Sequence, residues 1–464
     1  MTNKPRTERL SRPHTGACLT MLSMVLCTLL TSVTAASVQV NGDGSSNCST
    51  NLHNGIDPDF DELPDEEPNE RRDPNTLNEM IPCDKGKHSP VNTTAPNQQA
   101  CYKQLGCFKI PNGTFPHINK LPTPPPELNC KFSFFDRANR DKGILFNYSD
   151  VTALNHAFGE KVRPIVIIVH GFQSNSTAKW VLDMKNAVLD LKDARVILVS
   201  WKKGANLPDY QQAVVNTEIV GRIIARGLWN LAKRHPQTIN LKKVHFVGHS
   251  LGAQVGRFFA DYLYEISNSN GHKGRLIGHL TGLDPAQPCY ENFKIYVNKS
   301  SAKFVDIVHT ASGSSDLSSL GAGRFGMKKP VGHLDFYLNG GSKQPGCDMF
   351  HPTCSHSRAH SYYNWALRKQ KERLDHHVTV NKDTCFVAFA CKGGLKEITQ
   401  NKCTKIPKKW NVLTLDQSDK LSGRGPLLLD TTKTPPYCYP GTKLATVVHI
   451  QSGTAATISK AISP

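Results

Sequence analysis

No C-x-x-C pair occurs among the fourteen cysteines of this 464-residue chain, which removes the paired spacing that intracellular zinc sites require. Cys18 and Cys27 lie in an N-terminal apolar stretch. The twelve that follow form an even set, better explained by disulfides in an oxidising compartment. Internal repeats are absent, which excludes a solenoid array. Beyond the N terminus no apolar run is long enough to cross a bilayer. Despite a net charge of +18, no nucleic-acid-binding module is recognisable, so nucleic acid is not expected as a partner. Carboxylates are sparse outside one run, residues 57–79, which holds ten of them. The remainder is strongly basic, with lysine pairs at 202–203, 242–243, 328–329 and 408–409. Singly each pair reads as solvated surface. Together they would draw the body towards anionic lipid or sulfated glycan.

Lys4, Arg6, Arg9 and Arg12 precede an apolar stretch at 17–33 and the small residues Thr34, Ala35 and Ala36, the pattern of a secretory signal over 1–36. The alternative is an uncleaved anchor, disfavoured by the interrupting Ser and Thr. Residues 37–98 form an acidic extension too poor in aromatics to repay ordering, and disorder is expected there. Arg71-Arg72 within it reads equally as a processing site or an exposed basic doublet. Sequons at Asn47, Asn92, Asn112, Asn147, Asn175 and Asn298 agree with secretion.

Order is expected from about residue 99. A purely apolar, β-branched run at 165–169 reads as a strand buried on both faces, and 196–201 repeats the pattern. A helix is expected to open at Asn175 and Ser176, and a long amphipathic one covers 210–234. Further strands are expected at 276–283, 304–310 and 333–338, and a helix at 357–371. This alternation predicts an α/β fold with a mostly parallel central sheet, the α/β-hydrolase plan, over 99–375. Residues 376–464 read as a short cysteine-containing tail with one β-like run at 443–450.

The centre of this pattern is VHFVGHSLGA at 244–253. An apolar strand breaks at Gly248 and Gly252 around Ser250, as in a G-x-S-x-G nucleophile elbow, and a helix starts at once. By itself the pentapeptide could equally be a tight turn with a surface serine. Acyl transfer by serine also needs a base and a carboxylate to hold that base. Asp284, at the exit of a buried strand in TGLDPA, is the best acid, because Asp306 and Asp335 sit inside strands. His356, in CSHSR at a loop-to-helix junction, is the best base. His249 should point away, and His279, His309, His333 and His360 read more simply as hydrogen-bonded strand or helix residues. The N–H groups of Phe172 and Leu251 are the expected oxyanion donors.

CYKQLGCF, HGF, SWKKGA, YQQAVVNTEIVG, GHSLGA, TGLDPAQPC, KFVDIVHT, GHLDFYLNGG, PGC and CSHSR occur in this order, and over roughly residues 100–370 the chain resembles the pancreatic lipase family. The resemblance implies a secreted hydrolase acting on acyl esters of glycerolipids at a membrane or lipid-droplet surface, without an organic cofactor. It implies a triad of Ser250, Asp284 and His356, oxyanion donors at Phe172 and Leu251, and disulfides Cys101–Cys107 and Cys347–Cys354. Pairings among Cys48, Cys83, Cys130, Cys289, Cys385, Cys391, Cys403 and Cys438 stay open. Three features depart from the family. The lid between bridged cysteines is reduced to residues 348–353. Asn298 and Ser301 stand where calcium-loop carboxylates are expected, so no metal is expected. The lipid-binding β-sandwich is missing beyond its first strand. A phospholipase A1-type activity is therefore favoured, with triacylglycerol lipase as the alternative. A non-catalytic lipid-binding or yolk-type protein and a glycan-anchored surface protein are the readings from other classes.

Overall fold

Ile165–Val169 (β7) is the axis on which the chain is wound. In the computed structural model, which describes residues 98–438 apart from 207, 315–316, 349, 404–408 and 417–422, together with 37–40 and 46–49, β7 is buried along its whole length. Its side chains alternate as a strand's must. Ile165, Ile167 and Val169 enter one core and Val166 and Ile168 the other. The central sheet has eleven strands in the order β14-β13-β15-β12-β11-β10-β9-β7-β8-β5-β6. These are Lys131–Phe135 (β5), Ile144–Phe146 (β6), Arg195–Ser200 (β8), Val244–His249 (β9), His279–Leu283 (β10), Phe304–His309 (β11), Leu334–Leu338 (β12), Val387–Phe389 (β13), Trp410–Val412 (β14) and Gly425–Leu429 (β15). From β8 across to β15 all neighbours are parallel. The outer strands β5, β6, β13 and β14 are antiparallel.

Helices cover both faces, as a parallel sheet requires. Tyr210–Arg234 and Leu251–Asn268 line one core, while Lys179–Leu191 and Cys354–Asp375 line the other. The first helix of this set, α1 (Lys179–Leu191), begins four residues later than expected, because Asn175 Oδ1 accepts the Thr177 N–H at 2.8 Å and so holds a turn there. In α2 (Tyr210–Arg234), Asp209 caps the start by accepting the Gln212 N–H. Gly221 lets α2 press on α3 (Leu251–Asn268), since a Cβ there would lie 2.6 Å from the Phe259 backbone nitrogen. α4 (Cys354–Asp375) starts at the disulfide cysteine itself.

Residues 376–438 are not a loose tail. β15 pairs parallel with β12 from Leu334↔Gly425 to Leu338↔Leu429, burying Leu427, Leu428 and Leu429, and β13 and β14 extend the sheet further. Disulfides Cys385–Cys438 and Cys391–Cys403 tie this extension together. The β-like run expected at 443–450 lies outside the described residues, as do 1–36, Asn92 and Met349. Gln98–Tyr102 (β3) and Gly106–Ile110 (β4) form a hairpin closed by Cys101–Cys107. Ser37–Val40 (β1) pairs with Ser46–Ser49 (β2) in a separate unit. The acidic extension, expected to lack order, thus carries one antiparallel ribbon.

Candidate active site

The chain passes from β7 to β8 on one side and then returns to place β9 on the other, so the gap beyond the C-terminal ends of β7 and β9 is a topological switch point. His170-Gly171-Phe172 and Ser250 both fall there. Ser250 has φ 57° and ψ −122°, a strained conformation for a residue with a Cβ. Its N–H donates to the Leu283 carbonyl at 3.0 Å, and its own carbonyl accepts from Ala253 and Ala286. The flanking glycines are sterically required. A Cβ at Gly248 would lie 2.3 Å from the Gly252 carbonyl oxygen, and one at Gly252 would lie 2.3 Å from that of Val169. A Cβ at Gly171 would come within 2.8 Å of Ser250 Cβ and 3.3 Å of its Oγ. The HGF turn and the serine therefore face each other. Leu251 is the first residue of α3, so its N–H has no intrahelical acceptor. The Phe172 N–H likewise has no acceptor among the described residues.

Asp284 follows β10 with φ 44° and is fully buried. Its Oδ1 accepts the N–H groups of Thr310 at 2.8 Å and Ala311 at 3.1 Å, and its Oδ2 accepts His356 Nδ1–H at 2.6 Å. With Nδ1 donating, Nε2 of His356 is left as the acceptor nitrogen. His356 stands in the first turn of α4, not before it. Its carbonyl accepts from His249 Nε2 at 3.2 Å, and Phe325 lies edge-on to its ring at 5.7 Å. Gly326 abuts the acid: a Cβ there would be 2.3 Å from Asp284 Oδ1. Gly171 belongs to the HGF motif and Thr310 closes KFVDIVHT, whereas Gly326 and Ala311 lie outside the sequence motifs. The HGF, DIVHT and GHLDFY segments carry the sequence signal of this support.

The other histidines are occupied elsewhere. His170 Nδ1–H donates to the Gly171 carbonyl and its Nε2 accepts the Trp201 N–H, and burial lowers its pKa to about 4. His249 does point away from Ser250, packing between Trp180, His356 and His360. Burial first, and then the neighbouring histidines, push its pKa well down. His360 stacks on Trp180 and is lowered to about 3, chiefly by burial. His333 Nδ1 accepts the Val305 N–H.

Among the described residues three further His–Asp pairs occur, of which His351–Asp348 lies on the exposed bridged turn. His279 bonds Asp306 at 2.8 Å, but His279 opens β10 and lies beside His245, four residues before His249. That is roughly 13 Å down the sheet from the elbow. His309 donates from Nδ1 to the Met327 carbonyl and from Nε2 to Asp335. Both of its ring nitrogens are thus engaged away from Ser250. This pair instead braces the loop whose next two residues hold Asp284.

Between Cys347 and Cys354, which are bridged, the chain makes a tight turn. Asp348 accepts the Phe350 N–H and bonds His351, Cys354 N–H reaches the His351 carbonyl, and Phe350 is 63% exposed. A Cβ at Gly323 would strike the Pro352 carbonyl, so the turn rests on the loop following β11. In the segment 298–301, Asn298 Oδ1 accepts from Ser300 and the Ser301 hydroxyl accepts the Asn298 N–H. Asn112 and Asn147 are exposed, whereas Asn175 and Asn298 are half-buried. Among the described residues, the group of metal-capable side chains is Cys391, Glu397 and Cys403, and its two thiols are consumed by a disulfide. Cys289 is also disulfide-bonded. Cys130 is a free thiol whose burial raises its pKa to about 12.

The family model described as Lipase matches residues 98–436. The chain is 31% identical over 319 residues to pancreatic lipase-related protein 2 of Cavia porcellus, covering 67% of this chain and 66% of that protein. It is 31% identical over 297 residues to the Sus scrofa protein of the same name, covering 59% of each. To pancreatic triacylglycerol lipase of Ictidomys tridecemlineatus it is 30% identical over 356 residues, covering 70% and 68%. The chain thus spans a little under two thirds of the first of these relatives. The matched region includes β13, β14 and β15, in agreement with their place in the central sheet.

Proposed function

From the premise that the chain belongs to the pancreatic lipase family, we propose that it is a secreted hydrolase of glycerolipid acyl esters, with Ser250 as nucleophile, His356 as base and Asp284 as the acid that orients it. The observation that carries this reading is the His356–Asp284 hydrogen bond of 2.6 Å, on a carboxylate pinned by two backbone N–H groups beside a serine elbow. His356 Nε2 takes the Ser250 Oγ proton as Oγ attacks the ester carbonyl. The oxyanion is held by the N–H groups of Leu251 and Phe172, and the proton passes to the departing alcohol. Water then repeats the sequence on the acyl-enzyme and frees the fatty acid. Each oxyanion donor is worth about 3 kcal/mol of barrier.

Phospholipase A1-type cleavage is the favoured substrate class. The bridged turn at 348–353 is too short to build a covering helix, and a basic body favours anionic interfaces. The bridged cysteines and the lack, among described residues, of any helix able to cross a membrane fit an extracellular protein. Triacylglycerol hydrolysis is the second reading, favoured by the loop after β11, which could wall an acyl chain. The test compares phosphatidylcholine vesicles with a triacylglycerol emulsion, recording the acyl position released by wild type and by Ser250→Ala. Equal rates for the two proteins would refute the hydrolase reading. Faster turnover of the emulsion, with a jump at the solubility limit of a short-chain ester, would replace phospholipase with lipase.

A further inference from the structure

A cleft of about 650 Å³ lies between the loop after β11 and the short helix Gly394–Thr399. Its walls carry Arg324, Lys328 and Lys396 with the hydroxyls of Ser312, Ser342 and Thr399, and no carboxylate lines it among the described residues. All three cations are exposed, and none has a side-chain hydrogen bond or ion pair among the described residues. The adjacent acid, Glu397, faces elsewhere, with its carboxylate within 4.8 Å of the Cys391 and Cys403 sulfurs. Glu291 meets Lys328 only through the Lys328 backbone N–H, at 3.3 Å.

Three like charges around one concave space raise its potential and concentrate anions in it. The hydroxyls of Ser312 and Thr399 already donate to the Met327 and Leu395 carbonyls, so the cations carry the recognition: a guanidinium and two ammonium groups lining one cleft suit a tetrahedral oxyanion. We propose that this cleft binds a phosphate group, either free or as the head-group phosphate of a lipid. The site is distinct from the ester-cleaving residues but shares chain with them. Arg324 immediately precedes Phe325 and Gly326, which contact His356 and Asp284 respectively. A bound phosphate would also tie the loop after β11 to the segment that carries β13 and β15. The proposal goes beyond the hydrolase reading, and binding can be measured whether or not the protein cleaves esters.

The experiment titrates the full chain with inorganic phosphate, and separately with a short-chain phosphatidic acid below its micelle concentration, against sodium chloride of matched ionic strength. Calorimetry gives the dissociation constant, and thermal melting supplies a second readout. Saturable phosphate binding that weakens at least tenfold in Arg324→Gln/Lys328→Gln/Lys396→Gln, but not in Lys242→Gln/Lys243→Gln, supports the site with free phosphate as sufficient ligand. Binding of the lipid probe alone, with the same dependence on the three residues, assigns the head group as the source. If the triple variant is not secreted folded, Arg324→Gln and Lys396→Gln singly should each weaken binding. No saturable binding of either probe, or binding unchanged in the variants, overturns the proposal.

Discussion

Gly326→Ala should cripple catalysis without touching a reacting residue. Gly326 has no left-handed backbone to defend, so alanine is conformationally permitted. The penalty is steric: the new methyl would sit 2.3 Å from Asp284 Oδ1 and 2.5 Å from Cγ, where ordinary contact begins near 3.4 Å. The carboxylate must retreat by about 1 Å, a misplacement that can cost on the order of 10²-fold in rate. It would lose or lengthen bonds from Thr310 and Ala311, each worth roughly 1.5–3 kcal/mol to a charged acceptor. Complete loss of histidine orientation sets a ceiling of about 10⁴. The expected outcome is a fall in kcat of about 10² on a soluble p-nitrophenyl ester, with KM nearly unchanged and a modest loss of melting temperature. Retention of more than about a third of wild-type kcat would refute this account of how Asp284 is held.

Ser250→Ala and His356→Ala should each abolish ester hydrolysis while leaving circular dichroism unchanged, and the double variant should be scarcely worse, since such residues act as a unit. Substantial activity in either single variant would remove the assignment. Calcium should be dispensable, because Asn298 Oδ1 already accepts from Ser300, the Ser301 hydroxyl already accepts the Asn298 N–H, and no carboxylate lies between them. A large loss of activity on chelation would contradict it. Stability should fall with acid. His170 and His360 are kept neutral when folded, with pKa values lowered by burial to about 4 and about 3. The unfolded chain therefore binds more protons below about 6.5, and stability declines from there towards those values, by roughly 3 kcal/mol for His170 alone. His360→Phe should flatten the melting-temperature profile between pH 7 and 4.5, and an unchanged profile would refute the linkage.

Much of this design was legible because its chemistry needs particular residues in a particular order. β7 is an unbroken apolar run and β8 and β9 are mostly apolar because both faces are buried, and the elbow glycines are dictated by backbone packing at 2.3 Å. Asp284 and His356 stand out from their competitors in the sequence because a strand exit and a helix start are where side chains can project towards a serine elbow, and the structure joins the two by a 2.6 Å hydrogen bond. The supporting residues were harder to see. Thr310 and Ala311 act through backbone N–H groups, which any residue but proline supplies. Gly326 acts through the absence of a side chain.

The extension beyond α4 escaped the sequence for a different physical reason. β13 and β14 are three residues each, shorter than any window in which a period of two can be told from chance, and β15 opens with Gly425-Pro426. What makes them strands is the edge they cover. Without β15, β12 would expose an unpaired row of backbone groups on a parallel sheet, beside the fully buried Asp335 that holds His309. His309 in turn fixes the chain immediately before Thr310 and Ala311, and these hold Asp284. The extension and the acid are therefore joined by hydrogen bonds through two strands of the same sheet. A boundary at residue 375 would cut the support of the candidate site, not merely remove an appendage.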